Sequence, residues 1–181
     1  MVNHRANWLT TIMRGVTSLG SALVLVPIAV LIAALWRWKR HDWLAAWLLG
    51  ASYLGASVLF NVVKRLTHRA RPIGRFQLVH AGGYAFPSGH ATQAAAMWGA
   101  MAFLLTLIAT SWPRRVAAWT TALLVAGLVG LSRIYLGVHW LSDVLAGWSL
   151  GSLWLFTLLA AHRHLTSGVQ PDPSEPSRLS S

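Results

Sequence analysis

The chain contains no cysteine, which excludes a disulfide scaffold and any zinc centre built on thiolates. Acidic residues are nearly absent as well: four among 181, namely Asp42, Asp143, Asp172 and Glu175. The last two fall at the extreme C-terminal end, so the body has two carboxylates, too few to cage Mg²⁺ or Ca²⁺. Mg²⁺ therefore need not be invoked, and no cofactor is expected. Charged residues of all kinds make up only 10%, where aqueous domains carry about a quarter, and this argues against a water-soluble globule. Intrinsic disorder of the whole chain is excluded by the 55% of apolar residues.

The charge that is present is basic: 15 Lys and Arg give a formal net charge of +11. Such a balance suits nucleic acid, an anionic membrane surface or a phosphorylated substrate. The apolar content favours the membrane bilayer and argues against nucleic acid. Five long stretches carry almost no charge, at about 16–36, 43–63, 91–112, 116–132 and 144–161. A spanning helix needs about 20 mostly apolar residues. The first three stretches satisfy this directly, and the last two do so by absorbing Ser132 to Leu136 and Leu141 to Asp143. All five are apolar around their whole circumference, unlike the one-faced helices of soluble proteins. The expected fold is all-α, a polytopic membrane bundle of about five transmembrane helices.

Trp36, Trp38, Trp43, Trp112, Trp119 and Trp140 fall near the stretch ends, as an interfacial aromatic belt would require. Gly147 and Gly151 form a small-xxx-small pair suited to close helix packing. Residues 1–15 place Trp8, Leu9, Ile12 and Met13 at helical spacing with Arg5 and Arg14 between them, which predicts a short amphipathic helix lying on the membrane surface. Residues 16–166 would form the membrane domain. The Ser- and Pro-rich residues 167–181 are expected to be a disordered tail.

Loop charge sets the orientation. Arg37, Lys39, Arg40, Arg114, Arg115 and Arg163 all fall on one side, which the positive-inside rule assigns to the cytoplasm. The N-terminus and the 64–90 loop then lie outside, with the inverted topology as the alternative. That loop carries Lys64, Arg65, Arg69, Arg71 and Arg75 against the rule, and binding an anion there would account for them.

Three clusters border the apolar stretches. The first runs Lys64-Arg65-Leu66-Thr67-His68-Arg69-Ala70-Arg71-Pro72. Lys64 and Arg71 are seven apart, about two helical turns, so both can face one phosphate, and Pro72 is expected to end the element. Arg65, Arg69 and Arg75 would do no more than grip acidic headgroups. The second cluster, Pro87-Ser88-Gly89-His90, precedes a helix. Ser88 is a preferred N-cap, Gly89 admits close backbone approach, and a helix N-terminus attracts anions. His90, in the first turn, is placed to protonate a leaving oxygen. The third cluster holds Ser132-Arg133, then His139, then Asp143. His139 and Asp143 are four apart and on a helix share a face, so the carboxylate can fix the imidazole tautomer and free the other nitrogen to attack. A structural His–Asp staple is the plainer alternative. With five spans the three clusters reach the same side of the membrane, and together they suit phosphoryl transfer.

Taken in order and spacing, these residues resemble the tripartite signature of the type 2 phosphatidic acid phosphatase family, which shares a superfamily with vanadium haloperoxidases. The likeness is tight over residues 64–143. It implies a metal-independent membrane lipid phosphatase in which His139 is the nucleophile, Asp143 orients it and His90 is the general acid. It further implies that Lys64, Arg71, Ser88, Gly89 and Arg133 bind the phosphate. One departure is that the six-helix members have three spans before the Lys-Arg-Pro cluster, whereas here only two precede it, behind the amphipathic stretch. Bacterial members of this kind imply a lipid phosphate substrate: undecaprenyl pyrophosphate first, or phosphatidylglycerophosphate or phosphatidate. They also imply an inner-membrane protein with its site on the extracytoplasmic side. The competing expectation is a non-enzymatic membrane protein that binds anionic phospholipid, which would need the cations but has no use for a His–Asp couple beside a second His.

Overall fold

The computed structural model describes residues 6–72, 74 and 77–167. Six helices follow one another: α1 Asn7–Ser18, α2 Ala22–Arg40, α3 Leu44–Thr67, α4 Gly89–Ile108, α5 Trp112–Tyr135 and α6 Leu141–Ser167. Among the described residues there is no strand. The last five helices are long and apolar enough to cross a membrane, as the composition requires. Because spans alternate in direction, the end of α3, the start of α4, the end of α5 and the start of α6 meet at one end of the bundle.

Helix α4 is the axis, and α3, α5 and α6 all pack on it. It is rich in Ala, Gly and Met, and most of its positions are buried, so its neighbours approach closely. The small pair on α6 does what its spacing suggests. A Cβ added at Gly147 would sit 2.8 Å from the Ser88 carbonyl oxygen and 2.9 Å from Ala91 Cβ, and one at Gly151 would collide with the Thr92 carbonyl. Bare backbone at these two positions brings α6 against the first turns of α4.

Several tryptophans work inside the bundle rather than at its rims. Trp148 Nε1 donates to the Ala126 carbonyl, Trp154 Nε1 to Ala51 and Trp98 Nε1 to Leu19, each bridging two helices or an elbow. Gly55 and Gly130 make room for the Trp154 and Trp148 rings. Of the expected belt, Trp38, Trp43 and Trp112 are largely exposed and Trp140 about half so, but Trp36 is buried and Trp119 packs against the core. Trp36 is drawn inward because its Nε1 donates to Asp42 Oδ1 at 2.7 Å. Asp42 also accepts from the Leu44 N–H at the start of α3, and that bond, followed by the one from Trp36, holds its carboxyl below the usual range. Arg37 lies over Trp43 and Arg40 over Trp36, so the basic end of α2 is held by stacking.

Several helix boundaries differ from the sequence reading. The first helix occupies 7–18 where 1–15 is expected, and the first span begins at Ala22 rather than 16, because Gly20 and Ser21 break the chain into two helices. Helix α3 ends at Thr67, five residues before Pro72: His68 takes a left-handed conformation and its N–H returns to the Lys64 carbonyl. Lys64 and Arg71 are therefore not two turns apart on one helix. His139 precedes α6 rather than lying on it, since Gly137, at φ +74°, turns the chain after α5. Residues 1–5, Arg75 and the 168–181 tail lie outside the described residues.

Candidate active site

At the end where the three clusters meet, a cavity of about 380 Å³ is lined by Lys64, Arg71, Gly89, His90, Arg133 and His139 together. A larger groove of about 520 Å³ between α2, α4 and α5 is walled almost entirely by apolar side chains and gathers no such groups. Lys64 closes α3 and its Nζ donates to the Tyr84 carbonyl at 2.8 Å. Arg71 stands in the loop beyond α3, held by the carbonyls of Gly82, Gly83 and Val138 at 2.8–3.0 Å. Arg133, in the last turn of α5, is 6% exposed; its Nη1 donates to Thr17 Oγ1 of α1 at 2.9 Å. Helix α1 thus braces a cavity residue, and the elbow after it lines the cavity, so close that a Cβ at Gly20 would sit 2.9 Å from the His90 carbonyl.

The second cluster begins α4 at Gly89 with Ser88 as N-cap. Ser88 makes no side-chain cap bond, and its own N–H donates to the Asp143 carbonyl at 2.9 Å. The first-turn N–H groups of Gly89 and His90 have no acceptor among the described residues. Ser88 Oγ and Arg133 Nε are buried and likewise meet no partner. Unsatisfied buried donors are rare in native structures. Gly89, His90 and Arg133 line the cavity, and their donors, each suited to an anion's oxygens, describe a site for an acceptor-rich ligand; Ser88 sits just behind Gly89 and is not among the lining residues.

The third cluster sets the imidazole. Asp143 is fully buried in the first turn of α6 and its Oδ2 accepts the Trp140 N–H at 2.9 Å, the return half of a capping box. The same oxygen lies 3.4 Å from His139 Nδ1, without hydrogen-bond alignment. Such contacts commonly tighten when substrate binds. On the other side of the ring, Arg71 Nη1 lies 3.2 Å from His139 Nε2. A guanidinium can only donate, so Nε2 is the lone-pair nitrogen and the proton sits on Nδ1, facing the carboxylate. Burial lowers the His139 pKa to about 2, and the charges of Arg71, Arg133 and Lys64 add to the effect. The ring is therefore neutral, and its Nε2 lone pair faces Arg71 at the cavity wall, the form a nucleophile needs once that contact is exchanged. Burial also lowers the Arg71 pKa, which Asp143 partly offsets, and the guanidinium stays charged.

One member of this network was not separable in the sequence. Arg69 Nη1 donates to Asp143 Oδ1 at 2.9 Å and to Ser142 Oγ at 2.7 Å. It is the ion-pair partner of the only buried carboxylate among the described residues, not a surface headgroup grip. The cue available was the need to neutralise Asp143, but five basic residues in the 64–75 segment were equal candidates. Among the described residues no three His or acidic side chains converge as a metal site would require.

The sequence pattern of the PAP2 superfamily matches residues 45–167. The chain is 38% identical over 154 residues to phosphatidylglycerophosphatase B of Bacillus subtilis, covering 84% of this chain and 74% of that one. It is 33% identical over 138 residues to an undecaprenyl-diphosphatase of Sulfolobus acidocaldarius, covering 74% of this chain and 61% of that one. The crystal structure of a transmembrane PAP2-type phosphatidylglycerolphosphate phosphatase from Bacillus subtilis superposes with a TM-score of 0.81 at 33% identity, covering 93% of this chain and 82% of that one. That of Aquifex aeolicus LpxE shares the fold at a TM-score of 0.68 and 23% identity, covering 87% of this chain and 89% of that one.

Proposed function

The chain belongs to the PAP2 superfamily and is an integral membrane phosphatase, and from that premise we propose that it hydrolyses the phosphate or pyrophosphate monoester of a lipid through a phosphohistidine intermediate. The observation that carries this reading is the neutral His139, its Nε2 lone pair facing Arg71 at the wall of a cavity that Lys64 and Arg133 also line. An arriving phosphoryl group draws Arg71 off Nε2 and onto its own oxygens. Nε2 attacks phosphorus, and the P–O bond to the lipid breaks as His90 gives a proton to the leaving oxygen. Asp143 stabilises the imidazolium that forms and keeps its orientation. Lys64, Arg71, Arg133, Ser88 Oγ and the N–H groups of Gly89 and His90 hold the equatorial oxygens. Water then gives a proton back to His90 as it attacks phosphorus, the N–P bond breaks, and phosphate and neutral His139 are released.

The substrate classes of the relatives, a phosphatidylglycerophosphate and a polyprenyl diphosphate, suit a site opening at the end of a membrane bundle. The basic end of α2 (Arg37, Lys39, Arg40) and the basic start of α5 (Arg114, Arg115) lie at the opposite end, which supports an extracytoplasmic site in a bacterial inner membrane. The test is phosphate release by the purified chain from phosphatidylglycerophosphate, undecaprenyl diphosphate and phosphatidate in the presence of EDTA, with His139→Ala as control. Release that vanishes in the variant is expected. Lipid binding that survives His139→Ala, with no hydrolysis by the parent protein, would instead establish a phospholipid-binding protein.

A further inference from the structure

One polar group in the cavity has no task in the phosphoryl chemistry. Gln93 lies three residues beyond His90 on α4, about 4.5 Å deeper along the helix axis. It is 5% exposed and lines the same cavity as the cations. Its Nε2 donates to the Tyr53 carbonyl at 3.1 Å and to Ser57 Oγ at 2.6 Å, both on α3. The Tyr53 carbonyl can only accept, so the amide cannot be turned the other way. Its oxygen, Oε1, is therefore fixed, and this buried atom meets no donor among the described residues.

A buried acceptor without a donor is costly and calls for a partner. That partner cannot be the phosphoryl group, whose ionised oxygens are themselves acceptors and would be repelled. A donor on the part of the substrate that leaves would satisfy it. Phosphatidate presents only ester oxygens beside the scissile bond, and a polyprenyl diphosphate presents only phosphate oxygens and hydrocarbon. A glycerol or sugar linker presents a hydroxyl one or two carbons from the bond, which spans the one-turn offset between His90 and Gln93.

We propose that Gln93 Oε1 is the acceptor of a headgroup-reading subsite that selects lipid phosphates whose leaving group carries a hydroxyl beside the scissile ester. The subsite rests on the phosphatase reading and narrows its substrate to glycerol- or sugar-linked phosphates. Sites that hydrogen-bond a substrate hydroxyl discriminate strongly against the analogue lacking it.

The experiment compares kcat/KM for phosphatidylglycerophosphate, its analogue with the secondary glycerol hydroxyl replaced by hydrogen, and undecaprenyl diphosphate, in the same mixed micelles. The parent protein should prefer the hydroxylated lipid over its deoxy analogue by at least about tenfold. Gln93→Met should lower turnover of the hydroxylated lipid by about tenfold and that of the analogue less than threefold. Equal rates on the two glycerolipids, or faster hydrolysis of undecaprenyl diphosphate, would overturn the subsite while leaving the phosphatase intact. So would a variant that lowers both glycerolipids alike, which marks Gln93 as a tie between α3 and α4 only. Should the variant not fold, the parent's preference between the two glycerolipids decides the matter. Hydrolysis of none of the three lipids would overturn the phosphatase reading, and the subsite with it.

Discussion

Replacing Arg69 by Ala tests whether the buried carboxylate is poised from outside the cavity. Arg69 is absent from the cavity lining, and its side chain is 40% exposed. Its guanidinium nevertheless supplies the one full charge paired with Asp143 Oδ1, at 2.9 Å. A hydrogen bond to a charged group contributes about 1.5–3 kcal/mol, and the partial exposure of Arg69 argues for the lower part of that range, about 1.5–2 kcal/mol. Its loss leaves Asp143 tethered by the Trp140 N–H alone, free to swing away from His139 Nδ1. At 1.36 kcal/mol per decade, kcat should fall roughly 10- to 30-fold. KM should change little, since no phosphate contact is removed. The assay is initial-rate phosphate release from phosphatidylglycerophosphate in mixed micelles with EDTA, across a range of surface concentrations. Arg69→Lys should recover part of the rate. In an Asp143→Asn background the further Arg69→Ala change should cost less than about threefold, because the two residues act as one unit. A raised KM with unchanged kcat, growing with salt, would show that Arg69 holds lipid headgroups and would refute the reasoning. So would full additivity of the two substitutions.

Two further outcomes are expected. The lowered pKa of His139 means that its ring is neutral above a pH of about 2, so ¹⁵N NMR of the ligand-free protein should show one histidine that keeps its Nδ1 proton unchanged between pH 5 and 8; a midpoint near 6.5 for that ring would contradict the burial argument. Gly147→Val should destabilise the bundle by about 1–3 kcal/mol, because the added atoms meet the Ser88 carbonyl and Ala91, and activity should fall further than stability as Asp143 and Ser88 are forced apart; a thermal midpoint within a degree of the parent would refute the tight contact.

The three clusters were legible because each packs several chemically distinctive residues into a few positions, and because five long apolar stretches leave only one topology that brings them together. Their local geometry was less legible. The spacing of seven between Lys64 and Arg71, and of four between His139 and Asp143, invited helical readings. The chain instead leaves the helix at His68 and turns at Gly137, and loops deliver both residues to the cavity. Arg69 was hidden by equivalence: with Arg65, Arg71 and Arg75 nearby, only the path of the loop after α3 decides which guanidinium meets Asp143. The tryptophans misled for a different reason. Position along a stretch locates a ring near an interface, but whether it faces lipid depends on a buried acceptor such as Asp42, and on glycines across the contact.

Through one oxygen, Oδ2, the Asp143 carboxylate both starts a helix and faces the His139 imidazole. Deleting it therefore removes a fold element along with a chemical one, and a dead Asp143→Ala protein would say little about mechanism. His139, whose ring anchors no helix, is the cleaner target. A lineage drifting away from hydrolysis could discard that histidine early, yet would keep the aspartate for as long as it kept α6.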